Sequence, residues 1–397
     1  MIAPTTILYP HSSDELYGSD LVLLNLVRRL DRARFRPYVL LPTDIPYEGK
    51  LSRALDEAGV ANESLAMPVL RRRYFTPAGL PRFARYLWQG TRGVEAIARR
   101  EGAALIHSNT SAVWGGALAA SRLHLPHVWH VHELVTDPAL VRRLIAWMVS
   151  HRSTHVVAIS RAVADHLLAD APALAGRLSV IYDAVDTARF SPAVDGSALR
   201  RAWGVSREEV LAGVVGRISA WKGQDLFLRA FAQAARAQPQ LKAVIAGDVV
   251  PGEDWRREEL QALARELGVA DRVLWPGYHA NAPELMAALD VLTLPSIKPE
   301  PFGMVVIEAM AAGRPVIATA HGGPLESVAD GETGLLVSPR DPAAMAAALA
   351  RLAGDRGLRE RMGRAGRARA QRLFGFEEHV RAFQELYERL LREKIGA

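Results

Sequence analysis

The chain has 397 residues, 49% hydrophobic and 23% charged, and it contains no cysteine. That is a globular composition with room for two domains; it excludes disulfides and cysteine metal sites, and no apolar run reaches the roughly 18 residues of a membrane-spanning helix. The net charge of +6 is carried almost wholly by arginine, with lysine only at Lys50, Lys222, Lys242, Lys298 and Lys394, and such a basic surface suits nucleic acid, anionic lipid or anionic small molecules.

Met1 to Thr6 carry no basic segment and lead straight into an apolar run, so no signal peptide is expected and a cytoplasmic protein is read. From Ile7 onward one theme recurs: a short apolar run, a turn, then a longer helical pattern. In the first half the runs are Ile7-Leu8-Tyr9, Tyr38 to Leu41, Leu105-Ile106, Val128 to Val131, Val156 to Ile159 and Val180-Ile181. After the first run comes the loop His11 to Ser19, in which Gly18 precedes a predicted helix over 21–30. A glycine there lets a phosphate or sugar approach the backbone; the plainer reading is a helix start capped by Ser19.

The span Arg71 to Arg100 holds eight arginines, at 71, 72, 73, 82, 85, 92, 99 and 100, against the single acid Glu95. Tyr74, Phe75, Phe83, Tyr86, Leu87 and Trp88 interleave with them. This is either a basic aromatic surface for an anionic membrane, read as the inner face of the cell membrane, or a solvated helix whose aromatics turn inward. Nucleic acid is the other partner such a patch admits. Further on, Ser108-Asn109 follows Ile106, and Trp129-His130-Val131-His132-Glu133 places two histidines on one strand face. A third metal ligand is not evident, so no metal is assigned. His132 at a strand end suits a single polar contact, while His107 and His130 read as satisfied core histidines.

A Pro-, Ser- and Gly-containing stretch, Phe190 to Gly196, marks the seam between a domain over 1–190 and one over 191–375. The second series of runs is Val210 to Val215, Ala243 to Ala246, Val273-Leu274-Trp275, Val291 to Leu294, Val316-Ile317-Ala318 and Leu335-Leu336-Val337. Two such series predict an α/β protein with two doubly wound parallel sheets covered on both faces. Gly216-Arg217-Ile218-Ser219-Ala220-Trp221-Lys222-Gly223 leaves a strand with an arginine fork and a lysine beside glycines, a set that suits a diphosphate. Glu300-Pro301-Phe302-Gly303-Met304 through Glu308 presents one carboxylate in a loop, free N–H groups at a helix start and a second carboxylate two turns on. Such groups suit the hydroxyls and anionic oxygens of a sugar nucleotide. The plainer reading is that both glutamates complement a helix dipole or polar face. His321-Gly322-Gly323-Pro324-Leu325-Glu326 is a further glycine loop between strand and helix. The segment 376–397 predicts an amphipathic helix with Phe383, Leu386, Tyr387, Leu390 and Leu391 on one face, assigned to pack back on the first domain.

These residues resemble the retaining GT-B glycosyltransferases of family GT4, the glycosyl transferases group 1. The resemblance covers most of the chain and is densest from Gly213 to Pro339. Glu300 and Glu308 match the family's Glu-x7-Glu motif, and Gly216, Arg217, Lys222 and Gly223 match its phosphate motif. Leu274-Trp275-Pro276-Gly277-Tyr278 is similar to the segment that contacts the nucleotide base. The runs Gly322-Gly323-Pro324 to Glu326 and Asp330 to Val337 are similar to another hallmark. The resemblance implies a GT-B fold of two Rossmann-like domains facing an interdomain cleft, the donor held mainly by the second. It implies Arg217 and Lys222 on the diphosphate and Glu308 on the ribose. Glu300, with the backbone of Phe302, Gly303 and Met304, takes the sugar. His132 takes the place of the first-domain histidine near the reaction centre, and Gly18 that of the first-loop glycine. The family pattern differs at three places: Tyr17 precedes Gly18 where a second glycine is common, Asp183-Ala184-Val185-Asp186 replaces Asn-Gly-Val-Asp, and Gly247-Asp248-Val249 replaces Gly-x-Gly.

The reaction implied is transfer of a sugar from a nucleotide-diphosphate sugar to a hydroxyl of a glycan or lipid-linked saccharide, with retention and without a metal or other cofactor. The alternatives are a nucleotide-sugar epimerase or a sugar phosphorylase on the same scaffold, a non-enzymatic nucleic-acid or membrane binder, and a catalytically dead partner subunit. The retained Arg, Lys and Glu set argues against the last two, and nucleic acid is not expected as a partner.

Overall fold

The computed structural model describes residues 3–249 and 252–395; the expectations placed on Met1, Ile2, Gly396 and Ala397 lie outside the described residues. The chain divides into two compact units, Met1–Asp183 with Phe376–Ala397, and Ala184–Gly375. This division falls seven residues before the seam read at 190/191. Val185 bridges to Gly375, Phe190 is buried, and Arg367 donates to the carbonyls of Phe190 and Thr187, so residues 184–190 are tied to the second unit.

The first unit is a seven-stranded sheet in the order β3-β2-β1-β4-β5-β6-β7. Its strands are β1 (Thr5–Pro10), β2 (Phe35–Pro42), β3 (Ala61–Leu65), β4 (Ala103–Asn109), β5 (His127–Val131), β6 (His155–Ala158) and β7 (Leu178–Val180), and all neighbours pair parallel. Side chains alternate across the sheet. Ile7, Tyr9, Val39, Leu41, Leu105 and Val128 face one apolar cluster, and Leu8, Leu40 and Ile106 face another. Both faces are therefore dry, which is why the strands read as unbroken apolar runs. The helix Phe376–Ile395 covers the first cluster with Val380, Phe383, Leu386, Tyr387 and Leu390, spaced as one helical stripe.

The second unit is a six-stranded sheet, β10-β9-β8-β11-β12-β13. Its strands are β8 (Val210–Val215), β9 (Leu241–Ala246), β10 (Val273–Gly277), β11 (Val291–Leu294), β12 (Val316–Thr319) and β13 (Gly334–Val337), again parallel throughout. Phe227 and Phe231 of the helix Gln224–Ala237 fill the core beside Ala212, Val214, Ala243 and Ile245.

Each apolar run of the sequence lies in or overlaps one of these strands. The strand that sequence reading missed is β3, Ala-Asn-Glu-Ser-Leu, with no fully buried position. It is an edge strand, so one side meets solvent and its composition carries no apolar signal. The helix predicted over 21–30 spans Gly18–Arg29; its N-cap is Tyr17, and Asp20, not Ser19, closes the first turn by accepting from the Tyr17 N–H at 2.8 Å. Among the described residues no helix is long and apolar enough to cross a membrane.

Candidate functional site

In an open parallel α/β sheet, ligands bind beyond the strand ends where the strand order reverses. In the first unit that point lies between β1 and β4, and in the second between β8 and β11.

At the first switch point the chain leaves β1 into His11 and β4 ends at Asn109. Four buried or half-buried side chains join them in series. Asp20 Oδ1 accepts from His11 Nε2 at 2.7 Å, and His11 Nδ1 meets Asn109 Nδ2 at 3.1 Å. Asn109 Oδ1 meets His132 Nε2 at 3.0 Å. Asn109 Nδ2 also donates to the Ser19 carbonyl at 3.2 Å, so its amide is oriented with Oδ1 toward His132. His132 therefore carries its proton on Nε2, and Nδ1 keeps a lone pair. Burial, with the nearby His11 and His379, pushes the His132 imidazole down to about 3, so the ring is neutral. Burial pushes the Asp20 carboxyl up, but the bond and charge of His11 and the bonds from Tyr17 and Ser13 outweigh it and hold it below the ordinary carboxylate range. Glu133 turns away from this series to accept from the Ser111 hydroxyl at 2.9 Å. A Cβ added at Gly18 would meet nothing within 4 Å, so the first loop is open there. His11, Asp20 and Asn109 escaped assignment from sequence, although Asn109 and His11 both stand just past an apolar run, the place where such residues are to be sought.

Behind His132, the expectation of satisfied core histidines holds only in part. His107 Nδ1 bonds Tyr387 Oη at 2.7 Å, but its Nε2 is buried and finds no partner among the described residues. His130 is fully buried with neither nitrogen partnered among them. Asp183, from the segment after β7, lies beside it, and desolvation pushes its carboxyl up to about 8. Asp183 thus brings a third polar group beside the two histidines from more than fifty positions along the chain.

At the second switch point, the loop after β8 and the loop after β11 are joined by one ion pair: Lys222 Nζ donates to Glu300 Oε1 at 2.7 Å. The Glu300 side chain is 4% exposed and that of Lys222 23%. The same Glu300 oxygen accepts from the Ser296 hydroxyl, and the lysine ammonium sits 4.2 Å from the Trp221 ring centroid. Two glycines make this approach sterically feasible. At Gly223, with φ of +69°, a Cβ would come within 2.0 Å of the Pro295 carbonyl oxygen. At Gly322, with φ of +68°, it would come within 2.2 Å of that of Glu300. The first keeps the Lys222 loop on the β11 loop, and the second pairs the β12 loop with Glu300, whose carbonyl also accepts from the Gly323 N–H at 2.9 Å. Ser296, unassigned from sequence, is the hub: its carbonyl accepts from Thr319 Oγ1 and binds His321 Nε2, each at 2.8 Å.

The remaining predicted residues are placed as follows. Arg217 is exposed after Gly216, and its carbonyl accepts from Gln224 Nε2 at 3.0 Å. Gly277 ends β10, its carbonyl accepts from the Gly247 N–H at 2.9 Å, and Tyr278 beyond it is 74% exposed. The Phe302 ring is buried against Phe374, 5.7 Å between centroids, so that residue offers backbone and not its ring. Gly303 caps the helix Met304–Ala311, whose first N–H groups have no partner within the helix. Glu308 lies one helical turn into it, not the two expected, because the helix begins only at Met304; it is half-buried, and desolvation pushes its carboxyl up to about 7, against the opposing charge of Arg189.

The arginine-rich span forms a turn and the helix Gly79–Arg100. Among the described residues, cations of this span are compensated by acids from elsewhere: Arg71 and Arg73 pair with Asp44, and Arg100 with Glu63 and Glu101. Tyr74 and Phe83 turn inward, while Trp88 and Leu80 are exposed beside Arg82, Arg85 and Arg92.

Residues 196–369 match the family model for glycosyl transferases group 1, and residues 18–189 match that for glycosyltransferase family 4. The lipopolysaccharide core biosynthesis mannosyltransferase LpsB of Rhizobium meliloti is 34% identical over 264 residues, 66% of this chain and 73% of that protein. The D-inositol 3-phosphate glycosyltransferase of Streptomyces avermitilis is 35% identical over 289 residues, 68% of this chain; the match spans 62% of that relative's length, under two thirds. Among solved structures, HepE of Anabaena, crystallised with UDP and glucose, superposes with a TM-score of 0.81 at 26% identity, over 96% of this chain and 99% of that one. Its fold and these matches make the architecture GT-B, two parallel α/β units each wound about its own switch point. The chain belongs to the glycosyltransferase family that the group 1 and family 4 models describe.

Proposed function

We propose that the protein is a retaining glycosyltransferase that moves a sugar from a nucleotide-diphosphate sugar to a hydroxyl of a glycan or lipid-linked saccharide acceptor. The observation that carries this reading is the Lys222–Glu300 pair at the β8/β11 switch point, where a cation and a carboxylate meet beside a glycine turn and a helix start. In this reading Arg217 and Lys222 hold the diphosphate, with Gly216 letting it approach the backbone. Glu308 accepts from the ribose hydroxyls, and Gly277 with Tyr278 borders the base. Glu300 and the N–H groups around Phe302, Gly303 and Met304 hold the donor sugar. For the first unit this reading keeps His132, oriented by Asn109, and Gly18 as donor-contacting residues.

The chemistry follows from charge. As the glycosidic bond breaks, negative charge grows on the leaving diphosphate, and fixed cations and N–H dipoles stabilise it without reorganising. Transfer on one face lets the leaving phosphate take the acceptor proton, so neither glutamate serves as a nucleophile. Support comes from the HepE neighbour, whose crystals hold UDP and glucose or UDP-glucose at 26% identity. The exposed basic face of the helix Gly79–Arg100 suits peripheral contact with an anionic membrane that carries a lipid-linked acceptor.

The test is a screen of nucleotides and nucleotide sugars by thermal shift, followed by product analysis with and without saccharide acceptors. A nucleoside diphosphate should raise the melting temperature in proportion to its occupancy. A new glycosidic product that keeps the donor's anomeric configuration is the expected outcome. An epimerised donor or a sugar phosphate instead would assign an epimerase or a phosphorylase.

A further inference from the structure

We infer that Asp20 and His11 are positioning residues for His132: the Asp20 carboxylate fixes, through His11 and then Asn109, which ring nitrogen of His132 carries the proton. The effect on turnover rests on the proposed reading of His132 as a donor-contacting residue. The chain of bonds itself belongs to the first unit and stands without that reading.

The direction of the chain follows from what each group can give. Asp20, His11 and Asn109 are fully buried, so none of them can take a substitute partner from water. Desolvation raises the Asp20 carboxyl, but its bonds from His11, Tyr17 and Ser13 hold it below the ordinary range, so it is ionised and only accepts. The proton of the 2.7 Å contact therefore sits on His11 Nε2. A neutral imidazole protonated there keeps a lone pair on Nδ1, and Asn109 Nδ2 donates to it at 3.1 Å. The same NH2 group donates to the Ser19 carbonyl, so the amide has only Oδ1 left for its other side. Oδ1 accepts from His132 Nε2 at 3.0 Å. Reversing any one link would oppose two donors or two acceptors in a buried place, which is why one carboxylate can set the whole series. The ring nitrogen left for a ligand is His132 Nδ1, which accepts from a hydroxyl and repels a carboxylate.

The competing account makes Asp20 a helix cap and nothing more. Its Oδ2 accepts from the Tyr17 N–H at 2.8 Å and from the Ser13 hydroxyl at 3.3 Å, which closes the first turn of the helix Gly18–Arg29. The cap uses Oδ2, whereas the bond from His11 uses Oδ1. Asp20→Asn separates the two tasks. The Tyr17 N–H holds the amide oxygen in the Oδ2 place, so the cap survives. The new NH2 group then faces His11 Nε2 and drives the His11 proton to Nδ1. There it opposes the Asn109 NH2 group, the Asn109 amide turns over, and His132 Nε2 loses its acceptor.

The experiment uses the full chain with its histidines labelled with nitrogen-15, and His11→Gln and His132→Gln to assign the ring signals by NMR. In the wild type both rings should be neutral with the proton on Nε2. In Asp20→Asn the proton of His11 should move to Nδ1, and most of the His132 population should follow. UDP affinity and the circular dichroism spectrum should stay as in the wild type. Turnover on the donor found in the product screen should fall about 100-fold, less than the roughly 10⁴-fold that a wrong tautomer costs where the histidine is itself the general base. The KM for that donor should stay close to wild type, since its phosphate and base contacts are assigned to the second unit. A His132 that keeps its proton on Nε2 in Asp20→Asn would mean that His11 Nδ1 had turned to the Asn109 carbonyl, 3.3 Å away, and would leave Asp20 as a cap. A shifted tautomer with unchanged turnover would equally overturn the positioning role. A wild-type His132 protonated on Nδ1, or a doubly protonated His11, would overturn the inference even if the variant misfolds. Absence of transfer by the wild type, with the tautomers as expected, would instead strike the transferase reading and keep the chain of bonds.

Discussion

Lys222 and Glu300 were assigned separate tasks from sequence, one on phosphate and one on sugar, yet they touch. That contact alters what a substitution does. Lys222→Ala removes a cation and also strands a carboxylate 4% exposed. The expected loss of turnover is on the order of 10² to 10³ for such a preorganised group, and the stability loss is about 1–3 kcal/mol. The double variant Lys222→Ala with Glu300→Gln should recover most of the stability and none of the transfer. Melting curves and initial rates on the four proteins of this cycle check both halves; recovered activity in the double variant would deny Lys222 its role. Glu308 makes a prediction about pH. Its carboxyl titrates near 7 in the folded chain against an ordinary 4.5, because the folded state desolvates the charge. The unfolded chain therefore ionises first, so this group's contribution to stability declines as pH rises from about 4.5 to about 7, by about 1–3 kcal/mol. Glu308→Gln should flatten that limb. If the carboxylate accepts from ribose, nucleotide affinity should rise with pH through about 7 in the wild type and stay level in the variant.

At the scale of elements, the helix Phe376–Ile395 is as much a part of the first unit's core as any strand. Phe383 and Tyr387 have no exposed surface, and the Tyr387 hydroxyl lies 3.1 Å from that of Tyr9 and 2.7 Å from His107 Nδ1. Phe383→Ala should cost about 3–5 kcal/mol and Tyr387→Phe about 1–3 kcal/mol, measured by chemical denaturation. The helix Gly79–Arg100 shows the opposite balance. Its inward face packs Phe83, Val94 and Ile97, while Arg82, Arg85, Arg92 and Trp88 face outward. Co-sedimentation with vesicles rich in anionic lipid should fall sharply in the triple change to glutamate at positions 82, 85 and 92, and should weaken with salt in the wild type. Binding that ignores both charge reversal and salt would remove membrane contact from the proposal. The strands and this helix were legible because their periodicities, two and 3.6, are written in burial; β3 was not, because an edge strand buries too little to leave a pattern.

At the scale of the whole molecule, the two units have different dependence on chain order. The second is continuous from Ala184 to Gly375, whereas the first is completed only when Phe376–Ala397 returns to it. A fragment over 184–375 is expected to melt cooperatively and to be stabilised by a nucleoside diphosphate. A fragment over 1–183 should not fold, since Ile7, Tyr9 and His107 lose the helix that covers them. A stable, well-dispersed 1–183 fragment would show the returning helix to be dispensable. From sequence alone came the α/β class, the strand positions, the family and the loops at the strand ends, because burial period, glycine and charge at fixed spacing are local properties. Tertiary structure decided which of those loops meet. The reversal of strand order sets β4 beside β1 and β11 beside β8, joining Asn109 to His11 and Glu300 to Lys222, and the fold carries Asp183 to the His130 strand end. Partners this far apart along the chain leave no spacing to read, since their proximity exists only once the sheets have closed.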